Sequence, residues 1–367
     1  MQNRRELLAA MRRELPPRIP YTYGAETETN DILLKHLGLG ADGDVGRHFQ
    51  CNSFASLWGA LGGGPQMPER NARRAALART LSPGAMVDIW GIRREWVQAG
   101  DIRYLEITHA PLSHCDTIAE VEAYDWPRAD EVVWPDVPTG LDLPRWKETE
   151  DVFVMLNDYI CPFGIPWAMT GMEKMMMDLI ANPGVVEAIV AKVEEYTLAC
   201  LRMTLEKYPG GVDAIGCGDD YGTQNGLLLS PEMIARFFMP SLKRHYSLGK
   251  RGGTLCYHHS CGAVFDMIPL FIDAGLDVLN PVQTSAAGMD PARLKRHFGS
   301  HLAFHGGIDI QQTLVTGTPE EVRAEVRNRV QTLGPAGYIL APSHVLQPDA
   351  PPENIVALYD EVQKFTF

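Results

Sequence analysis

The sequence contains no uncharged apolar run of 18 residues, roughly the length that a membrane-spanning helix requires. It also lacks an excess of basic residues, since 33 lysines and arginines stand against 46 acidic residues, a formal net charge of −13. This balance argues against nucleic acid or an anionic membrane as the main partner. We therefore expect neither of these partners.

Cysteine is scarce as well, with seven residues at irregular spacings. An odd number in a chain of this size does not form the disulfide framework of a small secreted domain. Residues 4–15 interrupt their apolar positions with charges, so they predict an amphipathic helix and not the apolar core of a signal peptide. Together these features predict a cytoplasmic location.

The sequence does contain a regular alternation of short apolar strands and helices. Its 367 residues suffice for one large domain or two small ones. We predict strands at 19–23, 44–50, 152–156, 212–216, 255–257, 277–279, 302–304 and 338–341. Strands this short and this uniformly apolar indicate a parallel sheet covered by helices.

Eight such units predict an α/β fold of the (β/α)8 TIM-type barrel class. A doubly wound sheet is the alternative, but no G-x-G-x-x-G follows the first strand. The stretch at about 52–150 is different, because it holds six of the seven tryptophans without a clear period. We interpret residues 1–367 as a single barrel domain with an insertion at about 52–150, after the second strand. The alternative for this stretch is a separate small domain.

Polar or metal-ligating residues follow every predicted strand. In barrels of this class the chemistry lies at the carboxyl ends of the strands. In strand order these residues are Glu26 and Glu28; Gln50 and Asn52; Asn157 and Asp158; Asp219 and Asp220; His258, His259 and Cys261; Asn280 and Gln283; His305 and Asp309; and Ser343 and His344. Four of the eleven histidines fall on this one edge, which predicts a functional site there.

His259 and Cys261 are the candidates for a metal site. In an extended chain, residues two apart point to the same side, so both could bind one ion while His258 points away. Zinc accepts imidazole and thiolate, and a catalytic zinc takes three protein ligands and keeps one position open. We predict His344 as the third ligand, because the last strand would bring it to the same edge. The alternative is that the His-x-Cys pair binds no metal, and His258 is predicted to be a packed strand residue.

Asp220 and His305 are the predicted catalytic residues. Adjacent carboxylates at a strand end are poor structural elements, so Asp220 could act as an acid or base or orient a substrate. For Asp219 the alternative is that it only bonds backbone groups in the turn. The predicted substrate-binding residues are Glu26, Asn157, Asp219, Gln224, Asn280 and Gln283.

Four segments carry a resemblance to a known family: DDYGTQNGLLLSPEMIARFFMPSLKRHY, HHSCGAVFDMIPLFIDAGLDVLNPVQ, FHGGIDIQQTL and GYILAPSHVLQPDAPPENIVALYDEV. They resemble the uroporphyrinogen decarboxylase superfamily, whose fold is a (β/α)8 barrel. The resemblance covers about 150–367 and extends to the first 50 residues only in outline. The decarboxylase branch uses no cofactor and carries an arginine-rich substrate motif of the form RQAGR, which residues 18–50 lack.

The second branch contains zinc-dependent corrinoid methyltransferases, whose zinc motif is His-x-Cys with a distant cysteine. His259-Ser260-Cys261 matches the first part of this motif. Where the distant cysteine would fall, this chain has His344, and the decarboxylases also carry a histidine at about that place. His344 is thus either a replacement of one zinc ligand by another or the mark of a third subgroup.

The resemblance implies a zinc-dependent methyltransferase. It would move a methyl group between a small methylated substrate, or a thiol or folate acceptor, and a partner corrinoid protein that carries methylcobalamin. The alternative is a cofactor-independent decarboxylase or lyase that acts on a small carboxylic acid, with Asp220 and His344 as acid–base groups. A third hypothesis is a non-catalytic subunit, and a homodimer is an open prediction.

Overall fold

A computed structural model describes residues 3–81, 84–99 and 102–367. Its helices are α1 (Asn3–Met11), α2 (Thr27–His36), α3 (Val45–His48), α4 (Leu57–Ala60), α5 (Pro68–Arg79), α6 (Ile118–Glu122), α7 (Leu143–Thr149), α8 (Gly164–Thr170), α9 (Met172–Ala181), α10 (Pro183–Lys207), α11 (Pro231–Phe237), α12 (Met239–Arg251), α13 (Ile268–Ala274), α14 (Pro291–Phe298), α15 (Thr313–Thr316), α16 (Pro319–Leu333) and α17 (Pro352–Val362). Short 3₁₀ helices cover Ala129–Glu131 and Phe265–Met267. None of these helices is long and apolar enough to cross a membrane.

Ten strands in the described ranges form two sheets. They are β1 (Phe54–Ser56), β2 (Met86–Val87), β3 (Arg93–Ala99), β4 (Ile102–His109), β5 (Phe153–Ile160), β6 (Ala214–Gly218), β7 (Leu255–His259), β8 (Val278–Val282), β9 (Ala303–Ile308) and β10 (Tyr338–Pro342). Seven of them form a parallel sheet in the order β1-β5-β6-β7-β8-β9-β10. The remaining three, β2, β3 and β4, pair antiparallel in a separate sheet.

The parallel sheet is the α/β core that the alternating pattern predicts. Every residue of β9 and β10 is buried, because helices cover the sheet and the strands have no face left for water. The helix α16 begins as its sequence indicates, since Thr318 and Glu321 form a capping box around its first turn. Six of the eight predicted strands are present with bounds shifted by a few residues.

The predicted strand at 44–50 is wrong. Asp44 accepts a hydrogen bond from the backbone N–H of Arg47 at 2.9 Å and caps helix α3. Val45 and Phe49 are four residues apart and both are buried, which is helical spacing. The strand of the parallel sheet lies further on, at β1, inside the range predicted as an insertion, and it pairs with β5.

The predicted first strand, 19–23, contacts both edges of the parallel sheet without becoming a regular strand. Tyr21 bridges to Leu340 of β10, and Thr22 bridges to Asn52, which precedes β1. Pro20 has no N–H to donate, which limits this segment to isolated bridges. The carboxyl ends of β5 to β10 therefore share one edge with the chain around Thr22.

Asp158, predicted at this edge, has a side chain outside the described residues.

Candidate metal centre

His259 is the last residue of β7, between Gly218 of β6 and Asn280 of β8 in the strand register. The strand alternates its side chains, so His258 points away from His259. His258 is fully buried, and its Nδ1 lies 2.8 Å from the hydroxyl oxygen of Tyr246. Burial lowers the pKa of His258 to about 3, so the ring stays neutral. The prediction that His258 is a packed strand residue is confirmed.

His259, Cys261 and His344 come together at the edge of the sheet. One nitrogen or sulfur atom from each lies within 4.8 Å of the others. Nε2 of His259 is 3.4 Å from Sγ of Cys261, close to the roughly 3.6 Å that separates two such ligands of a tetrahedral zinc. The His344 side chain is exposed and reaches this pair from the end of β10. The donor set and its spacing fit zinc with an open fourth position.

Asn280 orients His259. Nδ1 of His259 lies 2.7 Å from Oδ1 of Asn280. A carboxamide oxygen can only accept, so Nδ1 carries the proton and Nε2 presents its lone pair toward Cys261. The amide of Asn280 is oriented in turn by the bond from Nδ2 to the carbonyl of His305 at 3.4 Å. Protein ligands to zinc are commonly held in this way by an outer shell of acceptors.

The turn that carries Cys261 is held by side chains from two neighbouring loops. The backbone N–H of Cys261 donates to Oδ1 of Asp220 at 2.8 Å, and the backbone N–H of Gly262 donates to Oε1 of Gln283 at 2.8 Å. Gly262 has a φ of 87°, and a Cβ there would lie 2.6 Å from the carbonyl oxygen of Thr223. Burial, and then the charge of Asp220, raises the pKa of the Cys261 thiol to about 12.

Asp219 lies in a different environment from Asp220. It is buried, and its carboxylate accepts from the N–H groups of Phe163 and Gly164 at 2.9 and 2.6 Å and from the Tyr221 hydroxyl at 3.1 Å. Burial raises its pKa to about 7. These contacts hold the start of helix α8, so the backbone groups that Asp219 bonds lie in another loop and not in its own turn. Its role in binding a substrate stays a prediction.

His305 is buried at the same edge with both ring nitrogens hydrogen-bonded. Nε2 lies 2.8 Å from the Thr22 hydroxyl, and Nδ1 lies 2.8 Å from the Tyr257 hydroxyl. Burial lowers the pKa of His305 to about 3, so the ring is neutral. Its catalytic role stays a prediction. To contact a substrate, one ring nitrogen would first have to give up its hydrogen bond to Thr22 or Tyr257.

The other predicted substrate-binding residues divide into three groups. Asn157 and Asn280 line the cavities next to His259. Gln224 donates to the carbonyl of Ser285 at 2.7 Å and accepts from Gln283 at 3.1 Å, so these two glutamines connect loops. Glu26 is exposed at the start of helix α2 and is not among the residues that line those cavities.

Two cavities flank His259. One, of about 400 Å³, lies against β5 and β6, and the other, of about 440 Å³, extends toward Thr22 and His344. Both are lined by Tyr257, which sequence reasoning missed. Tyr257 could have been predicted to line the site, because it lies two residues before His259 on β7 and residues two apart in a strand share a face. Larger cavities of about 630 and 620 Å³ near α1 and α5 have no histidine or cysteine among their described lining residues.

Replacing Asn280 by leucine should weaken zinc binding by about 10–100-fold. The change removes the acceptor that fixes the tautomer of His259, so Nε2 no longer presents its lone pair in every molecule. Competition with a chromophoric chelator measures the affinity. Asn280→Asp keeps an acceptor oxygen and should retain most of the affinity. Equal zinc affinity in Asn280→Leu and the unaltered protein would show that this bond does not organise the centre.

Comparison with known proteins identifies the family. The family model for uroporphyrinogen decarboxylase matches residues 147–365, more than half of the chain. The protein therefore belongs to the uroporphyrinogen decarboxylase family, and the predicted membership is confirmed.

Two curated relatives and one solved structure illustrate the range of the similarity. Uroporphyrinogen decarboxylase of Thioalkalivibrio sulfidiphilus is 30% identical over 105 residues, 26% of this chain, and that of Syntrophotalea carbinolica is 26% identical over 181 residues, 48% of this chain. The matches span only 29% and 48% of these relatives' lengths. A methyltransferase from Methanosarcina mazei is 18% identical, with a TM-score of 0.63 over 98% of both chains. At this identity the likeness shows the fold alone.

Proposed function

We propose that the protein is a zinc-dependent methyltransferase that transfers a methyl group between a small molecule and a corrinoid protein. The observation that carries the proposal is the convergence of His259, Cys261 and His344, whose ligand atoms lie within 4.8 Å of one another. The small molecule is a methylated substrate, or a thiol or folate acceptor. The absence of an RQAGR motif in residues 18–50 argues against porphyrinogen decarboxylation and supports the methyltransferase proposal.

In this proposal His259, Cys261 and His344 hold the zinc. When bound, zinc acts as a Lewis acid and keeps an acceptor thiol deprotonated near neutral pH. Asn280 keeps Nε2 of His259 directed at the centre, and Asp220 holds the backbone of Cys261. Asp220 is also 3.9 Å from Nε2 of His259, so its carboxylate lies where it could orient the small molecule.

The architecture is part of the same proposal. The bridges from Tyr21 and Thr22 to Leu340 and Asn52 support a (β/α)8 barrel closed by the segment around residue 21. The antiparallel sheet of β2, β3 and β4 supports an inserted subregion within about 52–150 of one barrel domain. The corrinoid partner, the homodimer and the cytoplasmic location stay predictions.

An anaerobic assay with free methylcobalamin as donor and 2-mercaptoethanol as acceptor tests the function. A sulfur lone pair forms the new bond to carbon, the cobalt–carbon pair stays on cobalt as cob(I)alamin, and the thiol proton is released. We expect the zinc-loaded protein to accelerate the appearance of cob(I)alamin, and we expect chelator treatment to abolish the acceleration until zinc is restored.

Two outcomes would contradict the proposal. A rate that does not respond to the chelator would exclude a role for zinc. Release of carbon dioxide from a small acid without any corrinoid, insensitive to the chelator, would favour the decarboxylase alternative.

A further inference from the structure

We infer that the small molecule lies in the cavity of about 400 Å³ beside His259, and that Gly218 determines which molecules reach the candidate metal centre from there. The inference rests on the proposed function and adds to it a residue that determines specificity. It comes from the position of Gly218 in the strand register and from the open space above its backbone.

Gly218 is the neighbour of His259 across two adjacent strands. It is the last residue of β6, and its register partner on β7 is His259. Register partners on neighbouring strands face the same side of a sheet, and both residues line the cavity of about 400 Å³. A side chain at residue 218 would therefore lie next to the imidazole of His259 and narrow the cavity there.

The fold gives no reason for a glycine at residue 218. The ten described strands contain four glycines, which are Gly216, Gly218, Gly306 and Gly307. A Cβ at Gly216 would lie 1.9 Å from Oδ1 of Asn157, and Gly306 and Gly307 have φ values of 117° and 99°, which other residues rarely adopt. Gly218 has neither constraint. Its φ lies outside the left-handed region, and no atom of the described residues beyond its chain neighbours lies within 4 Å of where its Cβ would be.

A ligand explains what the fold does not. Glycine weakens a strand, because it loses more conformational freedom on folding than other residues and has no side chain to pack. Within a strand it commonly marks a place where a ligand approaches the backbone closely. Gly218 is exposed in a cavity that also contains a candidate metal ligand. The space above Gly218 is thus where the small molecule lies beside the metal centre.

The size of the cavity indicates the size of the molecule. A cavity of about 400 Å³ is within the range of roughly 300–1,000 Å³ that holds ligands of drug-like size. The small molecule therefore has a body that extends beyond the methyl group and the atom that carries it. The absence of a side chain at Gly218 leaves the width that this body needs.

Thermal unfolding tests whether the fold requires a glycine at this residue. We expect Gly218→Ala to keep or raise the Tm, because alanine fits there and loses less conformational freedom on folding. Gly216→Ala should lower the Tm, because its Cβ would collide with Asn157. A Tm of Gly218→Ala as low as that of Gly216→Ala would show that Gly218 is needed for folding and would overturn the inference.

Thiol binding to the cobalt-substituted protein tests the role of Gly218 in specificity. 2-Mercaptoethanol and 6-mercaptohexanol carry the same functional groups and differ only in the length of the carbon chain. Each should give a thiolate-to-cobalt absorption band when it occupies the open metal position. We expect Gly218→Ala to weaken binding of 6-mercaptohexanol by about 10-fold, the effect of one methyl group in a pocket, and to weaken binding of 2-mercaptoethanol much less.

Gly24→Ala is the matched control. Gly24 lines only the cavity of about 440 Å³, and a Cβ there would lie 3.7 Å from Cγ1 of Val345, an ordinary packing distance. We expect this variant to bind both thiols as the unaltered protein does. Weaker binding of 6-mercaptohexanol to Gly24→Ala but not to Gly218→Ala would place the molecule in the other cavity and overturn the inference.

An equal effect of Gly218→Ala on the two thiols would also overturn the inference, and so would the absence of a thiol-dependent band in the unaltered cobalt protein. The titration contains no corrinoid, so it can succeed even if methyl transfer fails. Conversely, methyl transfer that needs zinc but does not depend on residue 218 would leave the proposed function standing. The two failures are therefore distinct.

Discussion

Replacing Cys261 by alanine should remove zinc from the protein and lower the rate of methyl transfer about a thousandfold. Cys261 supplies the only sulfur of the three clustered ligand atoms. Metal catalysis contributes several kcal/mol of transition-state stabilisation. At about 1.4 kcal/mol per factor of ten, a loss of that size corresponds to roughly three orders of magnitude. Elemental analysis and the cob(I)alamin assay measure the two effects.

Cys256→Ala is the matched control for this variant. Cys256 lies in the same strand–turn segment but is fully buried, with its sulfur 3.7 Å from the carbonyl oxygen of Tyr246. We expect this variant to lose some stability from the small cavity and to keep its zinc and its activity. If Cys261→Ala kept both zinc and activity, the metal centre proposed here would be wrong.

His344 should be replaceable by cysteine but not by alanine. His344→Ala removes one of three ligands, and we expect zinc affinity to fall about 100-fold or more, since even outer-shell changes cost 10–100-fold. His344→Cys restores the ligand set of the corrinoid methyltransferases that the sequence resembles. The zinc affinity of His344→Cys should stay close to that of the unaltered protein. With cobalt in place of zinc, this variant should show a stronger thiolate-to-metal absorption band than the cobalt form of the unaltered protein, because it has a second thiolate ligand.

His301→Ala controls for the loss of an exposed histidine elsewhere, because His301 lies in the exposed turn before β9. It should leave zinc binding unchanged. Zinc affinity unchanged in His344→Ala would show that His344 is not a ligand. Loss of zinc in His344→Cys would show that the geometry at the end of β10 admits an imidazole but not a thiolate.

The core of the fold could be predicted because its strands are short, apolar and separated by helices with clear starts. Strand β10 begins at Tyr338, as predicted. The capping box of Thr318 and Glu321 marks the start of α16 in the sequence. The early strands could not be predicted from the same pattern. The stretch 44–50 contains β-favouring residues, but Asp44 caps a helix there, whereas β1 is only three residues long. A bridge such as Tyr21 to Leu340 joins two segments that lie far apart in the sequence, so no local pattern predicts it.

The clustering of the three candidate metal ligands could be predicted from local geometry together with strand order. His259 and Cys261 are two residues apart, so their side chains point to the same side of the chain. Strand β10 brings His344 next to them. The contact of Asp219 with the start of helix α8 could not be predicted, because Phe163 and Gly164 lie far from Asp219 in the sequence. Gly216 was also missed as a site residue, since its effect on Asn157 acts between two strands that are distant in sequence.

Zinc content combined with X-ray absorption at the zinc edge tests the central claim most directly. The protein is to be purified without chelators, and a second sample is reconstituted with zinc after chelator treatment. We predict one zinc per chain, with one sulfur ligand and two imidazole nitrogens from His259 and His344. Failure to bind zinc even after reconstitution, or a coordination sphere without sulfur, would contradict the account.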